Sequence, residues 1–314
     1  MDSIERIARG LPGPVRRALR PLKRLIAGRS PAAKSSQAYW TGVNVTEHHR
    51  FRSAQESLQY LRWRNAIYLD YGELMPVGGV DGKVVLDYGC GPGHDVIGFG
   101  TQSRPARLIG MDVSPTSLAE ARERASLHGF AVEFVRIDEN DVRLPLEDAS
   151  IDVIHSSGVL HHTPDPVRIM GEFRRVLKPG GYVQVMVYNH DSIFLHLLVG
   201  YLKRVLEPGF EGLSRRQVFT RSTDGPGCPI SECYRPAEWI ALCARAGFDA
   251  SYRGAAISTM EMSILNRRFD AIHDRRLDED SREFLLALRF DDRGVPRFQG
   301  HTAGIDACYE LRMP

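Results

Sequence analysis

No stretch of this 314-residue chain approaches eighteen consecutive apolar residues, so a transmembrane helix is not expected. The N-terminus has no continuous apolar h-region and no small-residue cleavage site, which argues against secretion. Cysteine is scarce. Cys90, Cys228, Cys233, Cys243 and Cys308 are an odd set of five without framework spacing, read as reduced thiols of a cytoplasmic protein. Cys228 and Cys233 could be half of a metal site, but no second ligand pair stands near them. The histidines outside the motifs below, His48, His49 and His301 among them, lack metal-ligand spacing, and no metal is assigned. Internal repeats and low-complexity tracts are missing too.

What is present suits a globular protein. Hydrophobic residues make up 43% and charged residues 25% of the chain, enough for a sizeable core. The length fits one α/β domain with insertions. The net charge of +2 conceals an asymmetry. Residues 1–35 hold nine basic side chains against Asp2 and Glu5, a balance of +7 that leaves −5 for the remainder. A basic head on a mildly acidic body points to an interaction arm and gives no reason to expect nucleic acid as a partner. Val15, Leu19, Leu22, Leu25 and Ile26 form a rough apolar stripe that Pro21 interrupts. The preferred reading of the arm is a mobile tail. The alternative is an amphipathic segment in peripheral contact with an anionic membrane or a partner.

Beyond the arm, Ser53 and Glu56 have capping-box spacing and predict a helix to about Leu74, within a helical cap at 36–77. After Gly78-Gly79, strands and helices alternate. Strands are predicted at Val84–Asp87, Leu108–Asp112, Val132–Val135, Ile151–His155 and Tyr182–Tyr188. Ser114-Pro115 reads as the start of one helix, and Pro166–Leu177 as another, closed by Lys178-Pro-Gly-Gly181. A non-alternating insertion covers about 191–233, and its apolar run Ile193–Val199 is read as a lid helix in preference to core. The segment 234–314 returns to the core with a helix at Pro236–Ala246 and strands near 249–257 and 307–312, around a second insertion at about 258–305. This order implies a mostly parallel sheet with helices on both faces.

In such a sheet, ligands gather at the carboxyl ends of the strands. The loop leaving the first core strand reads Asp87-x-Gly89-x-Gly91-x-Gly93. Alternate glycines let the backbone turn sharply and approach a ligand, and the next helix offers amide donors to a carboxylate. The pattern is not the G-x-G-x-x-G dinucleotide fingerprint, because the third glycine of that count falls on His94. Asp112 ends the second strand, twenty-five residues past Asp87, where a carboxylate can accept the ribose hydroxyls of a nucleoside.

With these motifs the chain resembles class I S-adenosylmethionine-dependent methyltransferases, especially the branch of ubiquinone and menaquinone biosynthesis methyltransferases. The resemblance covers about 82–190 and 234–312. It rests on Val84-Val-Leu-Asp-Tyr-Gly-Cys-Gly-Pro-Gly93, Gly110-Met-Asp-Val-Ser114, Leu144-Pro145 before Ser150-Ile-Asp152, Val159-Leu-His-His-Thr-Pro-Asp-Pro166 and Val176-Leu-Lys-Pro-Gly-Gly181. It implies a Rossmann-like seven-stranded α/β sheet with an inserted lid, and S-adenosylmethionine as cofactor. Asp87, Gly89, Cys90, Gly91 and Gly93 would hold its methionine part, Asp112 its ribose, and Met111 or Val113 would flank the adenine. The family commonly has Asp four residues before Leu-Pro, contacting the adenine amine; here Asn140 stands there with Asp141 next, so that role is shared. Ser157 completes the cofactor set.

His161 and His162 follow the fourth strand, where the family's transferring methyl faces its acceptor. In-line displacement at a sulfonium carbon depends mainly on positioning, and an oxygen acceptor also needs deprotonation, a task suited to histidine. His161 is placed ahead of His162 for that role. Tyr188, Asn189 and His190 leave the fifth strand at the same edge and are assigned to a substrate rim. The expected activity is methyl transfer to a small-molecule acceptor in biosynthesis, oxygen before nitrogen or carbon. A non-catalytic cofactor-binding protein is the rival, and homo-oligomerisation is left open.

Overall fold

The computed structural model describes residues 35–314 apart from Pro226. The basic arm at 1–34, and the readings attached to it, lie outside the described residues. Short apolar runs ended by glycine or polar turns become strands, and their alternate residues supply both faces of one sheet. Val85 and Val153 pack on one side with Val96, Phe99 and Leu118. Leu86, Ile154 and Val183 pack on the other with Phe173, Trp239 and Tyr309.

In chain order the elements begin with α1 (Ser36–Gly42), α2 (Ala54–Ala66), β1 (Tyr68–Leu69) and α3 (Tyr71–Leu74). The core follows with β2 (Val84–Tyr88), α4 (His94–Gln102), β3 (Arg107–Asp112), α5 (Pro115–His128), β4 (Glu133–Arg136), β5 (Ile151–Ser157), α6 (Pro166–Val176) and β6 (Leu177–Tyr188). A π-helix (Phe194–Leu206), α7 (Arg215–Ser222), α8 (Pro236–Arg245) and β7 (Asp249–Ser258) come next. The chain then runs through α9 (Thr259–Ser263), α10 (Arg268–His273), α11 (Glu279–Ala287), a small three-stranded sheet of β8 (Arg289–Phe290), β9 (Pro296–Phe298) and β10 (His301–Thr302), and β11 (Asp306–Arg312). The main sheet has the order β1-β7-β11-β6-β5-β2-β3-β4. Strands β2 to β6 pair in parallel, and β11 runs antiparallel between β6 and β7. The order reverses beside β2, between β5 and β3, which puts the glycine loop at the switch point.

Three expectations need correction. The sheet has eight strands, not seven, because Tyr68 and Leu69 leave the helical cap to pair with Ser258 and Ile257. For the same reason α2 stops at Ala66 and not near Leu74: sheet pairing overrides a weakly patterned helix. Ser53 does cap it, accepting from the Glu56 amide, while the Glu56 carboxylate reaches back to the Arg52 amide. The 193–199 run is core. Ile193 and Leu197 are buried among Ile257, Phe284 and Leu285, while Leu195 and Val199 are buried against Val218 and Phe219. Apolar residues on opposite sides of the π-helix let it join two clusters. The Lys178-Pro-Gly-Gly181 stretch bulges from its strand, since Ile151 pairs Leu177 while Val153, two residues on, pairs Tyr182.

Candidate active site

Glycine is needed twice at the end of β2. A Cβ on Gly89, whose φ is +76°, would lie 2.2 Å from a Val159 methyl carbon, so the loop presses directly on the turn that carries the two histidines. Gly91, with φ +51°, faces open space with no atom within 4 Å of a would-be Cβ. The loop is braced from β3. The Met111 carbonyl accepts from the amides of Gly89 and Cys90, at 2.7 and 2.9 Å. The Asp112 carboxylate accepts from the Gly91 amide at 2.9 Å and the Ser114 amide at 2.7 Å. Each of its oxygens keeps a second lone pair. Gly93 caps the N-terminus of α4.

Beneath the loop lies a buried charged network. Asp87 has one carboxylate oxygen, Oδ2, without a hydrogen-bond partner among the described residues. Burial, together with Asp95 and Asp112, pushes its pKa up, against the pull of His155 and Arg64. Asp95 goes the other way. Burial raises it, but Arg64 at 3.1 Å and His155 at 3.0 Å hold its carboxyl well below the usual range. Burial opposes protonation of His155, and its bond to Asp95 prevails and raises its pKa. Tyr71 covers this network, stacking on Arg64 and sharing a hydrogen bond with Ser157. A bare carboxylate oxygen under an open glycine turn fits the ammonium end of a methionine moiety, and Asp112 fits a diol.

The second cluster starts one turn beyond β5. His161 and His162 sit in a short 3-10 turn, Leu160–His162, both buried. The His161 ring stacks on Tyr188 at 3.7 Å, and its Nδ1 accepts from the Tyr188 amide at 3.2 Å. In the neutral ring Nε2 therefore carries the hydrogen, and that N–H is buried without a partner among the described residues. Burial and the neighbouring His162 push the His161 pKa well down. In this tautomer the Nδ1 lone pair of His161 is engaged by the Tyr188 amide, and Nε2 is left as a donor. His162 is the reverse. Its Nδ1 donates to the Ile230 carbonyl at 2.6 Å, which in the neutral ring leaves the Nε2 lone pair 3.5 Å from Asp224 Oδ2. The Tyr188 hydroxyl donates to Asp224 at 3.0 Å, and Ser231 also points to it.

A roof closes this edge. Helix α1 is tied to the α5 end by Thr116 donating to the Thr41 carbonyl at 2.6 Å, and to the β4 loop by the Gln37 amide donating to Glu139 at 2.9 Å. Tyr39 donates to the Asp224 carbonyl, and the Trp40 ring lies 5.0 Å from His162.

Other expected site residues separate into two groups. Asp87, Gly89, Gly91, Gly93 and Asp112 line one site, and half-buried Val113 follows it. Met111 and Cys90 are core instead: Met111 is fully buried beside Leu86 and Ile109, and the Cys90 sulfur packs against Gly110. Asn140 and Asp141 are exposed in the loop after β4, where Asn140 turns back to Asp138 and Asp141 accepts the Arg143 amide. Of the three residues leaving β6, only Tyr188 meets the histidines. Asn189 donates its side-chain amide to the carbonyls of Asp191 and Gly304, and His190 pairs with Asp191. Sequence reasoning missed Arg64, Asp95, His155 and Asp224, which lie far apart in the chain; a buried-strand histidine such as His155 was the one available signal.

Two sets of ligand-type atoms gather within 4.8 Å among the described residues, His162-Asp224-Cys228 and His190-His196-Asp280, where spacing had given no hint. In the first, burial pushes the Cys228 thiol far up and keeps it protonated. In the second, Arg215 sits on Asp280 and within 3.4 Å of His190, which opposes a cation. A cavity of about 740 Å³ is lined by Asn189, His196, Arg235, Tyr252 and Phe284, and by no residue of the glycine loop or the histidine turn.

Residues 80–204 match the family model described as a methyltransferase domain. The ubiquinone biosynthesis O-methyltransferase of Leptothrix cholodnii is 26% identical over 229 residues, 70% of this chain and 85% of its own. A 37.1 kDa protein in transposon TN4556 of Streptomyces fradiae is 38% identical over 114 residues, 36% of this chain and 32% of that protein, so the chain spans about a third of that relative's length. In fold it is similar to the Haemonchus contortus phosphoethanolamine N-methyltransferase 2 bound to S-adenosyl-L-methionine, with TM-score 0.51 and 16% identity, covering 89% of this chain and 59% of that one. Residues 80–204 are a methyltransferase domain, and their switch-point loop resembles that of class I S-adenosylmethionine-dependent methyltransferases. In sequence the chain is akin to the ubiquinone O-methyltransferase branch, and its cofactor is S-adenosylmethionine.

Proposed function

We propose that this protein transfers the methyl group of S-adenosylmethionine to a hydroxyl of a small molecule, releasing S-adenosylhomocysteine. One observation carries the reading. The glycine loop with its bare Asp87 carboxylate abuts, through Gly89 and Val159, the turn on which His161, His162, Tyr188 and Asp224 converge. The bound cofactor supplies an activated methyl on a sulfonium. The chain's own residues do the rest. Asp87 and the α4 N-terminus hold the methionine end, Asp112 holds the ribose, and α1 covers the cleft and excludes water. The neutral His161 Nε2–H is available to donate to an acceptor oxygen, and the His162–Asp224 side offers acceptors for its proton. The O-methyltransferase name of the Leptothrix relative supports the choice of oxygen.

Among the described residues no helix is long and apolar enough to cross a membrane, and the five cysteines are free thiols. We infer a cytoplasmic setting from those thiols.

The test incubates the full chain with S-adenosylmethionine and a panel of acceptors bearing hydroxyl, amine or activated-carbon groups. S-adenosylhomocysteine and the mass and position of the added methyl are then read by mass spectrometry. Products methylated on oxygen are expected. Turnover on amines or carbon alone would move the reading to those classes, and cofactor binding without turnover on any acceptor would favour a binding protein.

A further inference from the structure

We propose that His162 and Asp224 form the proton-accepting pair of this site, so that the second of the adjacent histidines, with a carboxylate from the loop after α7, deprotonates the acceptor. The proposal rests on the hydroxyl-methylation reading above and names the groups that serve it. The two rings are 4.2 Å apart but wired in opposite senses. His161 consumes its lone pair on the Tyr188 amide and is left with a donor. His162 consumes its N–H on the Ile230 carbonyl and is left with a lone pair. With the ring neutral, Nε2 and the carboxylate oxygen 3.5 Å away are two acceptors facing each other, a contact that a proton on Nε2 turns into a donor–acceptor pair. Once Nε2 is protonated, that contact becomes a charge-assisted hydrogen bond and both ring nitrogens donate to oxygen.

Asp224 is held for the task. Its carboxylate takes the Tyr188 hydroxyl at 3.0 and 3.2 Å and Ser231 at 3.3 Å, while its carbonyl takes Tyr39. The other titratable groups around the pair are His161, Tyr188, Cys228, Asp306, Tyr68 and Tyr39. Burial holds the Tyr188 hydroxyl and the thiol protonated, His161 is neutral, and the Asp306 carboxyl is pushed up to about 7 by burial. In the transfer, an acceptor-oxygen lone pair forms the O–CH3 bond while the C–S bonding electrons return to sulfur. The hydroxyl proton passes to His162 Nε2 and later to solvent. Atoms and charge balance without a further reactant.

The full chain is assayed for S-adenosylhomocysteine release with catechol and with 4-nitrocatechol, whose nitro group lets its hydroxyl ionise near neutral pH without help. Asp224→Asn and His162→Gln are expected to lower kcat on catechol by about 10²–10⁴-fold, with KM and the calorimetric cofactor affinity within a few fold. The rise of rate with pH should flatten, Asp224→Glu should recover part of the rate, and the loss on 4-nitrocatechol should shrink to about tenfold or less. If Asp224→Asn does not melt cooperatively, Asp224→Glu reads the same contrast between probes. Equal losses on both probes would make the pair a positioning device. Flattening of the pH profile by Asp306→Asn and not by Asp224→Asn would transfer the role to Asp306. Inhibition by 1,10-phenanthroline, reversed by zinc, would make the cluster a metal site with Cys228. An active wild type with equally active variants would overturn the pair and leave the hydroxyl reading standing. Absence of turnover on every hydroxyl acceptor in the panel would overturn that reading and the pair with it.

Discussion

Two buried carboxylates on opposite sides of the sheet, Asp87 and Glu261, are held in opposite ways. On the β2–β5 side, Asp87 keeps a bare oxygen, and the neighbouring Gly91 turn opens on empty space. On the β6–β7–β11 side, Glu261 is as deeply buried, yet it accepts from the Ser258 amide and hydroxyl at 2.8 Å and from the Phe194 amide at 3.2 Å. The bare polar atoms of that side are neutral donors, on His196, Trp239 and Tyr309. A buried carboxylate without partners is costly, whereas a neutral donor without one costs less. The difference separates groups that a ligand completes from groups with which the chain braces itself.

That contrast can be broken at single atoms. In the braced half, a Cβ on Gly304 would stand 2.1 Å from the Ala256 carbonyl oxygen and 2.6 Å from the Ile257 Cα. Gly304→Ala should therefore cost about 2–3 kcal/mol in urea unfolding, while the folded fraction keeps its affinity for S-adenosylhomocysteine. A large loss of affinity would show that the halves are not separable. In the ligand half, Asp112→Ala should weaken calorimetric binding of S-adenosylhomocysteine by about 1.5–3 kcal/mol, the range for hydrogen bonds to a charged group. An unchanged dissociation constant would remove Asp112 from the site. Gly91→Ala sharpens the contrast, because its methyl enters empty space. Stability should fall by only about 1–2 kcal/mol for the left-handed backbone, while binding weakens through obstruction of the loop. Stability falling without any change in binding would mean that ligand does not approach there.

A further effect is in pH. Burial raises the Asp306 carboxyl to about 7, against an ordinary value of 3.8. A carboxyl raised in the fold contributes stability that is full below its unfolded pKa and lost as pH rises through the folded one. Asp306 thus contributes a decline in melting temperature between about pH 4 and about pH 7, opposed by the buried histidines His94, His161 and His196, and Asp306→Asn should make the observed slope less negative. Glu261, raised by burial to about 8, acts in the same direction and leaves a residual slope. A more negative slope in the variant would reverse the sign assigned to Asp306.

The parallel core could be read from the sequence because glycines and helix caps punctuate it at regular distances. Glycine-loop positions and Asp112 followed from that punctuation. Met111 and Cys90 did not, since strands covered on both faces carry no alternation to tell a ligand-facing side chain from a core one. The strand Tyr68–Leu69 escaped because two residues hold no period, and its partner lies at Ile257 and Ser258, far along the chain. Asp224 was legible only as part of a turn. Its meaning comes from Tyr188 and His162, which the fold alone brings to it. Which histidine has a lone pair to offer was equally hidden, because it depends on one backbone amide and one carbonyl.

Helix α1 has a kinetic consequence. Seven residues are too few to persist as a helix in water, so this one exists only while docked. Its ties go to Thr116, Glu139 and Asp224, three separate stretches of chain. Leaving is therefore a melting event more than a hinge motion, and no single tie decides it. Residence time beneath such a cover is set by how often seven residues fray together, a frequency that a change at the Ser35 cap can alter without touching the reacting groups.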